Sequence, residues 1–176
     1  MEMILIDLNQ VVIASVMMQV DKKKLKKSNG QKTQIDEHLI RHVTLNSLRF
    51  NIKKFKHKFG DVILCCDNRN SWRRGVFPFY KAGRGSDRDA SALDWGMIFD
   101  SMDKIRGELK ENFPYRVIEV ENAEADDIIG VLTKHVAKTE EVLILSSDKD
   151  FIQLQKYPNV FLLPLDRDSF STNQLI

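Results

Sequence analysis
Cysteine is scarce. The only two, Cys65 and Cys66, are adjacent inside an apolar run. Neighbouring strand residues face opposite sides of a sheet, so these two are not expected to pair with each other. No disulfide framework is possible, and both read as core thiols of a reducing compartment. No apolar run approaches the roughly 20 residues of a membrane span. The opening MEMILIDLNQ has no basic stretch ahead of its apolar residues. A secretory signal is therefore not expected, and no membrane partner is expected either. The glycine patterns of the P-loop and the Rossmann fold are missing. So are internal repeats, low-complexity segments and any convincing Ser–His or Cys–His arrangement for a protein nucleophile.

What remains is a charged, globular α/β chain. Its 176 residues are 43% hydrophobic and 30% charged, enough for one domain over 1–176 with a full core. The net charge of +2 hides a polarity. Residues 1–88 carry 18 Lys and Arg against 8 Asp and Glu, whereas residues 89–176 carry 9 against 17. A basic half beside an acidic half suits a polyanion held against a metal site.

The acidic half has its own order. Residues 116–120 form a β-type run, and Glu124, Asp126 and Asp127 follow at the start of an apolar-periodic helix (Ile128, Ile129, Val131, Leu132, Val136). Residues 142–145, VLIL, read as a strand buried on both faces, followed at once by Asp148 and Asp150. Two further strands, 3–6 and 62–66, end in Asp7 and Asp67. Carboxylates at the carboxyl ends of parallel strands stand where open α/β sheets place their sites. Clustered oxygen ligands with no Cys or His among them suit Mg²⁺ or Mn²⁺. The other reading is structural: acidic residues cap helix N-termini, and a lone strand-end Asp is often a turn residue.

The rest of the chain reads as follows. Residues 8–20 form a mostly buried helix and 21–32 a basic surface loop. A helix capped by Asp36 runs to Gly60 with basic last turns (53–58). Residues 91–112 form another helix, 160–163 a last strand, and 166–176 no clear element. Residues 68–90 show no sustained periodicity. There, cations alternate with aromatics: Trp72, Arg73, Arg74, Phe77, Phe79, Tyr80, Lys81, Arg84. A long basic loop with stacking aromatics fits single-stranded nucleic acid. It also fits a solvated loop with its aromatics tucked into the core.

Five stretches, taken together, resemble the metal-dependent 5′-nuclease family: LIDLNQ at 5–10, LCCDN at 64–68, WRRGVFPFYKAGRG at 72–85, AEADD at 123–127 and SDKDFIQLQKYPNV at 147–160. That family includes flap endonucleases, the 5′-exonuclease domains of bacterial DNA polymerases and phage 5′-exonucleases. The resemblance implies a PIN-like α/β fold, a central, mostly parallel sheet flanked by helices, and an arch-like basic loop at about 69–90. It implies a 5′-3′ exonuclease or flap endonuclease with ribonuclease H-type activity, using two Mg²⁺ or Mn²⁺ ions in DNA replication. Substrates would be DNA or RNA–DNA hybrids with 5′ ends or flaps, in the cytoplasm (a host's, for a phage gene). By motif, Asp7, Asp67, Glu124, Asp126, Asp127, Asp148 and Asp150 bind metal, and Lys81 and Arg84 act on the scissile phosphate. From their place in the loop, Arg73 and Arg74 are expected to hold the strand, and Tyr80 is a candidate to stack on the terminal base. Family members continue into a helix–three-turn–helix segment with a further acidic motif. None is present here, so a longer chain or a second polypeptide is expected to supply it. The competing expectations are a PIN-type ribonuclease for single-stranded RNA, a nucleic-acid-binding remnant without catalysis, and a metal-dependent phosphatase or response-regulator-like domain.

Overall fold
The structure, a computed structural model, describes residues 2–20, 32, 33 and 35–166. Nearly all of the expected basic loop (21–31), with Lys22, Lys23, Lys24, Lys26 and Lys27, lies outside the described residues, as does the tail 167–176. In chain order the elements are β1 (Met3–Asp7), α1 (Leu8–Gln19), α2 (Glu37–Phe59), β2 (Asp61–Cys66), α3 (Trp72–Val76), α4 (Gly83–Ala90), α5 (Trp95–Asn112), β3 (Arg116–Glu119), α6 (Ala125–Val136), β4 (Val142–Leu145), a 3₁₀ helix (Lys149–Lys156) and β5 (Val160–Leu163).

The five strands form one sheet in the order β3-β2-β1-β4-β5, and every pair is parallel. The central strands are buried on both faces, which is why MILI and VLIL carry no polar alternation. Ile4, Ile6, Leu64, Cys66, Leu143 and Leu145 face α1, α2 and α5. Leu5, Ile63, Cys65, Val142 and Ile144 face α6 and the 3₁₀ helix. The two cysteines thus lie in opposite cores, and burial pushes the Cys66 thiol up to about 12, with the Cys65 thiol also raised. From β1 the chain winds outward to β2 and β3 with helices on one face. It then crosses by α6, on the other face, to β4. That reversal leaves a crevice between the carboxyl ends of β1 and β4.

The sequence punctuation of α2 is present. The Asp36 side chain accepts from His38 N–H at 2.9 Å, and Gly60, at φ 67°, donates to Lys56 C=O. The stretch 69–90 differs from the expected structureless loop, since it holds α3 and α4. Helices of five and eight residues, split by Pro78, are too short to leave a periodic stripe. The helix expected from 91 starts at Trp95, because Asp94 caps it by accepting from Met97 N–H. Among the described residues no helix is long and apolar enough to cross a membrane.

Candidate active site
The carboxyl ends of β1, β2 and β4 meet the start of α6. Asp7, the last residue of β1, is 8% exposed and accepts from Gln10 N–H at 2.9 Å. Burial pushes its carboxyl up to about 7; the Gln10 hydrogen bond opposes this, and the charges of Asp67, Asp126 and Asp148 add to it. Asp67 follows β2 and accepts from Ala125 N–H at 2.7 Å, so it also plugs the N-terminus of α6. Its carboxyl is raised by burial and by Glu124, against Lys81 and Arg84, which lower it. Asp126 is raised by burial and then by Asp67 and Asp148. Asp148 starts the 3₁₀ helix and accepts from Asp150 N–H at 2.9 Å, while Asp150 itself is exposed in its first turn.

Two polar residues of α1's first turn frame this group. Asn9 Oδ1 accepts from Asp67 N–H at 3.1 Å. Gln10 Oε1 accepts from Ser147 N–H at 2.8 Å and Ser146 Oγ at 3.0 Å. They tie the ends of β2 and β4 to β1. Sequence reasoning gave them no role, although a polar pair opening an otherwise apolar helix was a legible signal.

The other two carboxylates meet the arch. Glu124, 7% exposed, accepts from Lys81 Nζ at 2.9 Å, Tyr80 Oη–H at 2.8 Å and Arg73 at 3.3 Å. Burial would raise its carboxyl, but the Lys81 and Tyr80 hydrogen bonds hold it below the usual range. Asp127 receives both terminal nitrogens of Arg73, at 2.8 and 2.9 Å, and Trp72 Nε1–H at 3.2 Å. Its carboxyl is likewise low, burial being outweighed by Arg73, the Glu124 N–H and Trp72. Lys81 stands at φ 55°, a conformation that side-chain-bearing residues rarely adopt, just before α4. Arg84 and Arg74 are exposed. Phe77 and Phe79, 56% and 75% exposed and edge-to-face at 5.8 Å, form the arch's apolar tip.

So Asp7, Asp67, Asp126, Asp148 and Glu124 share one electrostatic neighbourhood, with Lys81 and Arg84 facing it. The described residues form no ready-made cage of three or more ligands. The buried acidic groups repel one another, and three of them, Asp7, Asp67 and Asp126, have raised affinities for a proton through burial first and that repulsion as well. Such a site can take up a hard cation and present positive side chains to an anion lying across it.

The family model for the 5′-3′ exonuclease N-terminal, resolvase-like domain matches residues 2–175. Ribonuclease H of Enterobacteria phage T4 is 40% identical over 161 residues, covering 89% of this chain and 50% of that protein. Flap endonuclease Xni of Shewanella piezotolerans is 33% identical over 109 residues, covering 61% of this chain and 38% of that protein. The chain thus spans half or less of the length of these relatives. Among solved structures, the T5 D15 protein co-crystallised with metal ions superposes with a TM-score of 0.62 at 15% identity, covering 92% of this chain and 54% of that one. That likeness concerns the fold.

Proposed function
Because the chain belongs to the family of 5′-3′ exonuclease N-terminal, resolvase-like domains, we propose that it is the catalytic domain, over 1–176, of a divalent-metal-dependent 5′ nuclease. It hydrolyses phosphodiesters of RNA primers or 5′ flaps during DNA replication, as a 5′-3′ exonuclease or flap endonuclease with ribonuclease H-type activity. It works in the cytoplasm of its cell or host. One observation carries this reading: a buried carboxylate cluster at the sheet's reversal point lies under a cationic arch.

The donor set fits a hard divalent ion. It is all carboxylate oxygen, and Asp7 is buried with no cation paired to it among the described residues. Asp7, Asp67, Glu124, Asp126 and Asp148 are the residues to hold two Mg²⁺ or Mn²⁺ ions, with Asp150 at the rim. The ions, when bound, supply Lewis acidity at the phosphodiester. The chain's own residues do the rest. Lys81 and Arg84 set positive charge against the phosphate as charge builds on its oxygens. Asn9 and Gln10 fix the strand ends, so the carboxylates do not drift apart. Tyr80, which donates to Glu124, is the residue to stack on the terminal base, and exposed Arg74 tracks phosphates. No side chain is needed as nucleophile.

A second reading follows from coverage: the chain spans half of its ribonuclease H relative. In it, the chain binds nucleic acid but cleaves only when a longer polypeptide or a second one completes it. The test is cleavage of a 5′-flap and an RNA–DNA hybrid in Mg²⁺, with and without EDTA. It is run on the 176 residues and on a chain extended to the relatives' length. EDTA-sensitive release of 5′ products by either supports the nuclease reading, and cleavage by the longer form alone selects the second variant of it. No cleavage by either form rejects both.

A further inference from the structure
We propose that Asp127 anchors the arch by holding Arg73 and Trp72, and that it is not one of the metal-binding carboxylates. The contrast with metal binding rests on the nuclease reading above; the anchoring does not.

Both oxygens of Asp127 are already engaged. Oδ1 accepts from one Arg73 nitrogen at 2.9 Å. Oδ2 accepts from the other at 2.8 Å, from Trp72 Nε1–H at 3.2 Å and from Glu124 N–H at 3.0 Å. A two-pronged arginine contact fixes direction as well as distance, which a single ammonium contact such as Lys81 to Glu124 does not. Direction on the helix agrees. Consecutive helical residues point about 100° apart. Asp126 turns toward Asp67 and Asp148, so Asp127 turns away from them toward α3.

Arg73 is the hub of that foot. Its guanidinium lies 5.0 Å from the Trp72 ring and 5.7 Å from the Tyr80 ring. The backbone makes the same joint, with Trp72 N–H donating to Asn122 C=O at 2.8 Å and Asn68 N–H to Ala123 C=O at 2.9 Å. α3 has five residues and no side-chain cap at Ser71. A helix so short does not hold itself, and needs a tether. Asp127 supplies it, and thereby sets where Lys81, eight residues further along, meets the site.

The test separates an anchor from a ligand. In a Trp95→Phe background Trp72 is the only tryptophan. Asp127→Asn is expected to red-shift Trp72 emission and increase its quenching by acrylamide, while keeping the wild-type rise in melting temperature with Mn²⁺. Asp126→Asn is expected to lose that rise. The reversed pair, Arg73→Asp with Asp127→Arg, leaves no carboxylate at 127 and is expected to keep the Mn²⁺ response all the same, although Trp72 Nε1–H then loses its acceptor. Loss of the Mn²⁺ response in folded Asp127→Asn, to the level of Asp126→Asn, overturns the proposal. So does Trp72 emission and quenching unchanged by Asp127→Asn. If the reversed pair does not fold, Asp127→Glu takes its place, and it should keep Trp72 emission and quenching at the wild-type level. If the wild type itself shows no Mn²⁺ rise, the nuclease reading fails, and the Trp72 signal alone decides the anchor.

Discussion

Asp7 is an acid that its own fold disfavours as an anion. Its pKa of about 7 in the fold, against 3.8 for the free group, means that the folded chain binds a proton where the unfolded chain has lost it. The sign follows. Its contribution to stability is intact below about pH 4 and is lost as pH rises to about 7. Glu124 and Asp127 act oppositely, since their lowered carboxyls stabilise above the ordinary carboxylate range and lose that stabilisation in acid. In EDTA, then, stability should fall between pH 4 and 7, and Asp7→Asn should flatten the fall by on the order of 3 kcal/mol at pH 7. Urea unfolding across that pH range measures it; a profile identical in both proteins would show that Asp7 carries no such penalty. Lys81 and Arg84 are a separate matter. A charge that counts most in the transition state lowers kcat more than it raises KM when removed. Lys81→Ala and Arg84→Ala should each cost roughly 10²–10³ in kcat in a cleavage-competent form. Steady-state kinetics on a 5′-flap check this, and losses confined to KM would make both residues simple tethers.

The arch is the element that sequence conveyed least. Its composition raised the expectation of a nucleic-acid surface, but α3 and α4 are too short for periodicity to reveal. The strands were legible, because a parallel sheet buried on both faces writes itself as unbroken apolar runs such as VLIL. The strand-end carboxylates were legible for the same reason. The partners of Arg73 were not, since Asp127 is 54 residues away and only the fold brings them together. Both feet of the arch are tied. At the second foot Lys32 Nζ donates to the carbonyls of Asp89 and Ser91 at 2.9 and 2.7 Å, closing the end of α4. Arg88 lies over the Phe99 ring at 4.8 Å. Lys32→Ala should therefore loosen the arch and speed tryptic cleavage after Arg84 and Arg88, with little change in melting temperature. Unchanged nicking rates would show that Lys32 is not a tie.

At the scale of the molecule, a basic half and an acidic half divide the work. On the proposed function, the cations draw in a polyanion, and the carboxylates need a cation before a phosphate can approach. Binding to single-stranded oligonucleotides should weaken with salt, at a log–log slope of roughly −0.7 per phosphate contact, and Arg74→Ala should shallow the slope. For the 176 residues alone, affinity on the order of 10⁻⁴–10⁻⁶ M is expected, as for non-specific complexes. Titration by fluorescence anisotropy at several salt concentrations reads both, and a salt-independent Kd would exclude phosphate tracking. The central claim, that the clustered carboxylates exist for a divalent ion, is tested most directly by thermal melting with and without millimolar Mn²⁺. Wild-type protein should gain melting temperature with Mn²⁺ by mass action. Asp148→Asn with Asp150→Asn should melt higher than wild type in EDTA, through relieved repulsion, and should not respond to Mn²⁺. A wild-type melt indifferent to Mn²⁺, together with a double variant that is only destabilised, would contradict the account and leave the carboxylates as helix caps.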